Sequence, residues 1–73
     1  MAKVPRISGS EAIRVLERLG FQQVRQRGSH VIMRRGSSGC VVPLHRELKV
    51  GTLHGALRQA GVSVDDFVQA MNA

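Results

Sequence analysis

The sequence predicts an α+β fold in which a three-stranded antiparallel sheet carries helices on one face. Apolar residues recur at helical spacing near both ends of the chain. Between them lie three short segments separated by glycine- and serine-rich turns, which is typical of consecutive hairpins. The predicted order of elements is therefore α-β-β-β-α-α, and we expect the 73 residues to form one domain.

The first helix is predicted over about residues 8–19, after a short basic lead at residues 1–6. Ser8 and Glu11 have the spacing of a capping box, in which each side chain bonds a free amide at the helix start. Four apolar residues then follow at helical spacing: Ala12, Ile13, Leu16 and Leu19. Gly20 stands where a left-handed residue commonly ends a helix.

Three strands are predicted in the middle of the chain, at residues 21–27, 30–35 and 40–44. Gly28-Ser29 is a candidate two-residue hairpin turn, and residues 36–39 form a second turn. Pro43 has no amide to donate, so the third strand should lie at an edge of the sheet.

Two helices complete the predicted fold after a polar connection at residues 45–49. The first carries four apolar residues at helical spacing and ends at Gly61: Leu53, Ala56, Leu57 and Ala60. Ser63 and Asp66 repeat the cap spacing before the last helix, whose apolar residues are Val64, Phe67, Val68 and Met71.

The two turns predict a strand register. The first turn places Arg27 opposite His30 and Val24 opposite Met33, and a four-residue second turn places His30 opposite His45. Because side chains alternate across a sheet, one face then collects an apolar set: Val24, Val31, Met33, Cys40, Val42 and Leu44. The other face collects the basic and titratable residues, with three apolar residues between them: Arg25, Arg27, His30, Arg34 and His45, with Ile32, Val41 and Pro43.

The charge of the chain favours a polyanionic partner. Eleven lysines and arginines stand against five acidic residues, which gives a formal net charge of +6. RNA is the polyanion that we favour, and an acidic protein partner remains open. No helix is basic enough to suggest a membrane surface. The absence of tryptophan and tyrosine argues against a reader that stacks bases on several rings.

Cysteine and hydropathy patterns bound the location. Cys40 is the only cysteine, so the chain can form neither an intrachain disulfide nor a cysteine-based metal cluster. No apolar stretch approaches the length of a membrane span, and the N-terminus lacks the apolar centre of a signal peptide. We therefore expect a cytoplasmic protein.

Chemistry is indicated by one motif, Arg25-Gln26-Arg27-Gly28-Ser29-His30. Histidine exchanges protons near neutral pH, and arginine binds phosphate. A histidine beside a turn is nevertheless often structural, and an exposed basic sheet face can lack any specific function.

Several other residues near this motif have two readings. Gly28 serves the turn or lets a phosphate approach closely, and Ser29 positions phosphate or only shapes the turn. Arg34 is a further phosphate-binding candidate. Lys49 precedes a helix start that attracts anions, or is simply solvated. His45 is a candidate second acid or base, or a loop residue.

We expect neither a metal nor a small-molecule cofactor. His54 reads as a solvated helix residue, and three scattered histidines do not form a metal site.

Four segments, in this order along the chain, resemble the HicA mRNA interferase toxins. They are Ser8-Gly9-Ser10-Glu11 with Leu19-Gly20-Phe21, Arg25 to His30, Val42-Pro43-Leu44-His45, and Gly51-Thr52-Leu53 with residues 57–61. The resemblance implies a fold like that of double-stranded-RNA-binding domains. It also implies a ribonuclease toxin of a bacterial toxin–antitoxin pair that cleaves mRNA and arrests growth. The Gly-Ser-His motif implies that His30 is the catalytic residue, and the family implies a HicB-type antitoxin. Residues 34–39 depart from the Pro-Asp-Gly-like turn expected there, which bears on the register of the second hairpin.

Three functions are therefore carried forward. The leading hypothesis is a metal-independent endoribonuclease, and the alternative is a non-catalytic RNA-binding module. The third is an interaction module for an acidic protein. The substitution His30→Ala separates the first two, because only the enzyme depends on that imidazole.

Overall fold

The computed structural model describes residues 2–73 and has the predicted order of elements. Met1, the first residue of the predicted basic lead and domain, lies outside the described residues. The elements are α1 (Gly9–Arg18), β1 (Gln22–Arg27), β2 (His30–Arg35), β3 (Ser38–Pro43), α2 (Val50–Ala60) and α3 (Val64–Met71). The α+β prediction, with a three-stranded antiparallel sheet in the order β1-β2-β3, is confirmed.

The start of α1 is fixed by the predicted capping box. The Ser8 hydroxyl accepts a hydrogen bond from the Glu11 amide at 3.0 Å, and the Glu11 carboxylate accepts one from the Ser8 amide at 3.0 Å. These bonds satisfy two amides that the helix itself leaves unpaired. They also hold the pKa of the Glu11 carboxyl below its usual value, through the Ser8 amide first and the Ser8 side chain second.

The first hairpin has the predicted turn. Arg27 pairs with His30 and Arg25 with Ile32, around Gly28-Ser29. Gly28 has a φ of +55°, and no non-glycine residue among those described has a positive φ. A positive φ at the first central residue alone is the pattern of a type II′ turn, whose twist suits a hairpin.

The predicted second turn is wrong. The turn is the dipeptide Gly36-Ser37, with φ +60° at Gly36, so Ser38 already belongs to β3 and pairs with Arg35. Both hairpin turns are therefore Gly-Ser dipeptides in which the glycine has a positive φ. The register moves by two residues, and His30 lies opposite Pro43 rather than His45. A shift of two residues leaves the side chains that are paired between β2 and β3 on their predicted faces.

Two apolar residues that were expected on the core face are exposed. In β1 the register shifts between Gln23 and Arg25, so Gln23 pairs with Met33 and Val24 becomes the extra residue of a bulge. Val24 is 51% exposed as a result. Leu44 is 37% exposed because it follows the last residue of β3.

The core lies between the sheet and the helices. Four residues on the helix side of β2 and β3 are buried: Val31, Met33, Cys40 and Val42. Both aromatic residues of the chain, Phe21 and Phe67, are buried in the same core. β3 packs mainly against α2 and also contacts α1, whereas all six residues of β1 are exposed. Within residues 2–73, no helix is both long and apolar enough to cross a bilayer.

Candidate functional site

His30 lies at the centre of a row that crosses the sheet. Its backbone neighbours are Arg27 on β1 and Pro43 on β3. Residues directly opposite each other on antiparallel strands have Cβ atoms about 4.5–5.5 Å apart and point to the same face. His30 and Arg27 are both exposed. The imidazole therefore stands beside a guanidinium on the face that the helices leave open.

Two further rows extend this surface along the strands. The second row is Arg25, Ile32 and Val41, and the third row is Gln22, Arg34 and Gly39. We call the surface formed by the three rows the outward face. The residues of this face change across the sheet, from two arginines on β1 to three uncharged residues on β3: the exposed Val41, the half-buried Gly39 and the buried Pro43.

The outward face carries no acidic residue in any of its three rows. The five acidic residues of the sequence lie in α1, in the connection before α2 and in α3: Glu11, Glu17, Glu47, Asp65 and Asp66. The arginines of this face therefore have no carboxylate neighbour within the rows, and the face presents a positive field. Such a field attracts phosphate groups.

Hydrogen bonds hold the turn before His30 on both sides. The Gln26 side-chain amide donates to the Gly28 carbonyl at 2.9 Å, and the Leu44 amide donates to the Ser29 carbonyl at 2.6 Å. Gly28 has the positive φ that the turn requires, and a Cβ at this position would have no atom within 4 Å. The Ser29 side chain is exposed beside the turn.

His45 lies one residue beyond the Leu44–Ser29 hydrogen bond and two residues beyond Pro43, the β3 member of the first row. Its carbonyl accepts a hydrogen bond from the Gly9 amide at 2.9 Å, and its side chain is exposed. The backbone of His45 is therefore fixed against the start of α1. The predicted pairing of His45 with His30 is wrong, because Pro43 occupies that position.

The other predicted phosphate-binding residues divide into two groups. Arg25, Arg27 and Arg34 are all exposed members of the rows around His30. Lys49 is the N-cap residue of α2, makes no side-chain cap bond, and lines a different groove beside Arg6. The structure thus brings the arginines together with His30 and leaves Lys49 outside the three rows.

Arg35 shows why neighbouring arginines have different roles. Its guanidinium donates to the Leu19 carbonyl at 2.7 Å and lies 4.6 Å from the centre of the Phe21 ring. It therefore joins the end of α1 to β2 as a structural contact. Arg34, one residue earlier, points to the outward face.

Gln59 of α2 was not predicted to have a functional role, yet it lines a groove together with Ile32, Arg34 and Val41. No sequence motif around Gln59 indicates this position, because it depends on the packing of α2 against β3.

Metal and thiol chemistry have little support in the described part of the chain. Residues 2–73 contain no group of three or more histidine, cysteine or acidic side chains placed to hold a metal ion. Burial raises the pKa of the Cys40 thiol, which disfavours the reactive thiolate.

The fold and this surface define a small basic α+β protein with an open cationic sheet face and an exposed histidine at its centre. The family model described as the HicA toxin of bacterial toxin–antitoxin systems matches residues 9–62. The chain therefore belongs to the HicA toxin family, as its motifs suggested, and is a toxin of a toxin–antitoxin system. A comparison with curated proteins found no match.

Proposed function

We propose that this toxin is an endoribonuclease that cleaves mRNA, with His30 as its catalytic residue. The observation that carries the proposal is the position of His30, which is exposed on the outward face and directly opposite Arg27. A proton-transfer group beside a phosphate-binding group is the minimum that RNA cleavage requires. Membership in the HicA family supports the same reading.

RNA supplies its own nucleophile in the proposed reaction. A base removes the proton of the 2′-hydroxyl, and the 2′-oxygen bonds to phosphorus while the bond from phosphorus to the 5′-oxygen breaks. The leaving 5′-oxygen takes a proton from an acid. The products are a 2′,3′-cyclic phosphate and a 5′-hydroxyl. The step therefore balances without consuming water and without a change of oxidation state. His30 serves as the base or the acid, a role that contributes about 10²–10⁴-fold in rate.

The arginines stabilise the charge that develops on phosphate during this step. Arg27 lies in the same row as His30, and Arg25 lies one row away on the same strand. Cations beside the reacting phosphate stabilise the negative charge that develops on it in the transition state. Arg34 holds RNA farther along the strands, and Gly28 and Ser29 leave room for a phosphate beside the turn.

We assign His45 as the second proton-transfer group. Its backbone is anchored two residues beyond Pro43, the β3 member of the His30 row, and its side chain is exposed. Two imidazoles on one side of the turn would divide the roles of base and acid. We expect His45→Ala to reduce cleavage less than His30→Ala, because water can replace one of the two groups.

The partner in the cell is proposed to be a HicB-type antitoxin that masks the outward face in the cytoplasm. A protein with acidic side chains suits this surface, because its three rows carry arginine without any carboxylate. Masking would neutralise the toxin by keeping RNA from His30.

The test compares the wild type with His30→Ala and His30→Gln, and uses His54→Ala as the matched control. His54 is an exposed histidine on α2, outside the three rows. Cell growth is measured after induced expression of each variant. Cleavage of a defined RNA in the presence of EDTA is then measured with each purified variant. We expect both His30 variants to lose about 10²–10⁴-fold in cleavage rate and to permit growth. His54→Ala should match the wild type.

Two other outcomes would overturn the proposal in different ways. If the wild type binds RNA in a salt-dependent manner and leaves it intact, the protein is a non-catalytic RNA-binding module. If it binds only an acidic protein at moderate salt, it is an interaction module.

A further inference from the structure

A shallow groove of about 470 Å³ runs from the outward face around the free edge of β3. Ile32, Arg34 and Val41 line it from the outward face, and Cys40 and Gln59 line it from the helix side. The groove thus begins in the second row, next to the row that holds His30. It is not part of the proposed proton-transfer site.

The floor of the groove is formed by apolar side chains and by a glycine that has no side chain to fill it. Ile32 and Val41 are direct neighbours across β2 and β3, and Val41 is 42% exposed. Gly39 deepens the groove beside Arg34, because an added Cβ would lie 3.0 Å from the Met33 carbonyl oxygen and 3.3 Å from Arg34 Cγ. A flat apolar group can therefore rest on the aliphatic pair with a guanidinium at its edge.

Phenylalanine, tyrosine and tryptophan offer no stacking surface to an RNA base on this protein. The chain has no tryptophan or tyrosine, and its two phenylalanines, Phe21 and Phe67, are buried. A base that is held on the outward face therefore lies on aliphatic side chains, on a guanidinium plane or on the His30 imidazole, and the proposed reaction uses that imidazole for proton transfer. Ile32 and Val41 provide the apolar floor in the middle row of this face.

The groove lies one nucleotide step from His30. Ile32 follows His30 by two residues on β2, which corresponds to about 6.8 Å along a strand. This distance is comparable to the step between phosphates in an extended RNA strand. When one phosphate is beside His30, the neighbouring nucleotide therefore lies at the Ile32 row.

The distribution of charge orients that nucleotide. The β1 side of the outward face carries Arg25 and Arg27, whereas the β3 side is uncharged and opens into the groove. Phosphates are drawn to the β1 side, so the attached bases project across β2 toward β3. This arrangement separates backbone binding from base binding on a single sheet face.

We infer that the groove is a nucleobase subsite that determines which base is preferred next to the cleaved bond. The base lies on Ile32 and Val41, and the Gln59 side-chain amide and Arg34 bond its edge. Glutamine has both donors and an acceptor, so it can distinguish bases by their edges. The inference rests on the proposed ribonuclease function and adds the residues that give it sequence preference.

The first experiment measures base preference. Val41→Thr and Gln59→Leu are compared with Val50→Thr and Gln69→Leu, which alter exposed residues outside the groove. Val50 is 46% exposed and so matches Val41 in burial. Cleavage sites are mapped by sequencing the ends of a defined RNA. The ratio of kcat/KM is then measured on oligoribonucleotides that differ in one base on either side of the cut.

We expect Val41→Thr to change this ratio about fourfold, the effect of losing one methyl contact. Gln59→Leu should reduce the discrimination between bases toward unity, and both control variants should keep the wild-type ratio. Thermal unfolding of each variant verifies that the fold is unchanged.

The second experiment measures binding without cleavage. A 2′-O-methyl oligoribonucleotide lacks the nucleophile, and its binding to the wild type is followed by the NMR shifts of backbone amides. Shifts at Gly39 and Val41, together with shifts of the Gln59 side-chain amide, support the subsite even if no RNA is cleaved. In that case the proposed ribonuclease function fails and the binding site stands. Cleavage with unchanged base preference in both groove variants, and no shift at these residues, overturns the subsite and leaves the ribonuclease intact.

Discussion

The two edge strands of the sheet have opposite environments. All six residues of β1 are exposed, whereas Cys40, Val42 and Pro43 of β3 are buried. The difference arises because α2 packs against β3 and the start of α1 contacts its end, while no helix packs closely enough on β1 to bury its side chains. The protein therefore places its core on one edge and its free cations on the other.

This division predicts that the stability of the fold and the proposed RNA chemistry depend on different residues. Substitutions on β1 should change function while the fold remains, and substitutions on the helix side of β3 should do the reverse. His30 lies on the central strand between these two regions, with one neighbour from each. The following predictions test how completely the two regions are separated.

The largest effect is expected from a matched pair of valines. Val42→Ala should lower the free energy of unfolding by about 2–3 kcal/mol, because Val42 is 0% exposed and its loss leaves a cavity. Val24→Ala should change it by less than about 0.5 kcal/mol, because Val24 lies in the exposed bulge. Urea denaturation followed by circular dichroism measures both. Equal losses in the two variants would show that β1 also supports the core.

The next effect concerns RNA binding through β1. Arg25→Gln combined with Arg27→Gln should weaken binding of a 2′-O-methyl RNA about tenfold at low salt. The slope of log K against log salt should flatten by about 1.4, since each phosphate contact on single-stranded RNA contributes about 0.7. Arg58→Gln, on the exposed side of α2, is the control and should keep the slope. Unchanged salt dependence in the double variant would place the phosphates elsewhere.

A smaller effect is expected at the start of α1. Ser8→Ala removes the hydroxyl that caps the Glu11 amide and should cost about 1 kcal/mol of stability. Ser10→Ala, two residues later in the same helix and exposed, is the control and should change stability by less than about 0.5 kcal/mol. Both are measured by denaturation. RNA cleavage at low temperature should be the same in both variants, and a selective loss in Ser8→Ala would link this cap to the site.

The smallest effect is a pH dependence at Glu11. The folded pKa of this carboxyl lies below the unfolded value of 4.5, because Ser8 and then Arg14 favour its charged form. Its contribution to stability is therefore present above pH 4.5 and disappears as the pH falls through the folded pKa. Glu11→Gln should have a lower Tm than the wild type near neutral pH, and the two should converge in acid. A Tm difference between the two proteins that grows as the pH falls would contradict a lowered pKa for the folded Glu11 carboxyl.

The faces of the sheet could be predicted from sequence more readily than its register. The second turn was predicted to have four residues and has two, so the predicted pairing of β2 with β3 was displaced by two residues. Side chains along a strand alternate with a period of two, so this displacement does not move a residue to the other face. Met33 and Val42 therefore remained on the core side. The repeated Gly-Ser dipeptide at positions 36–37 was the signal for the true turn, and it was visible in the sequence.

The bulge and the groove could not be predicted in the same way. β1 reads Gln-Gln-Val-Arg-Gln-Arg, so it has no apolar alternation by which to detect an extra residue at Val24. The pairing of Arg27 with His30 depends on a local turn and was predicted correctly. That Gln59 and Val41 line one groove depends on how α2 packs against β3, and no short segment of the sequence encodes this packing.

Position 9 couples the helix layer to the proposed active site. A methyl group added to Gly9 would collide with the carbonyl oxygen of Pro43, the residue that sits across from His30. The same glycine donates its amide to the carbonyl of His45. A change as small as Gly9→Ala would therefore displace both Pro43, the β3 member of the His30 row, and the backbone of His45. A substitution in the first turn of α1 is therefore expected to inactivate the proposed site, although α1 contributes no side chain to the outward face.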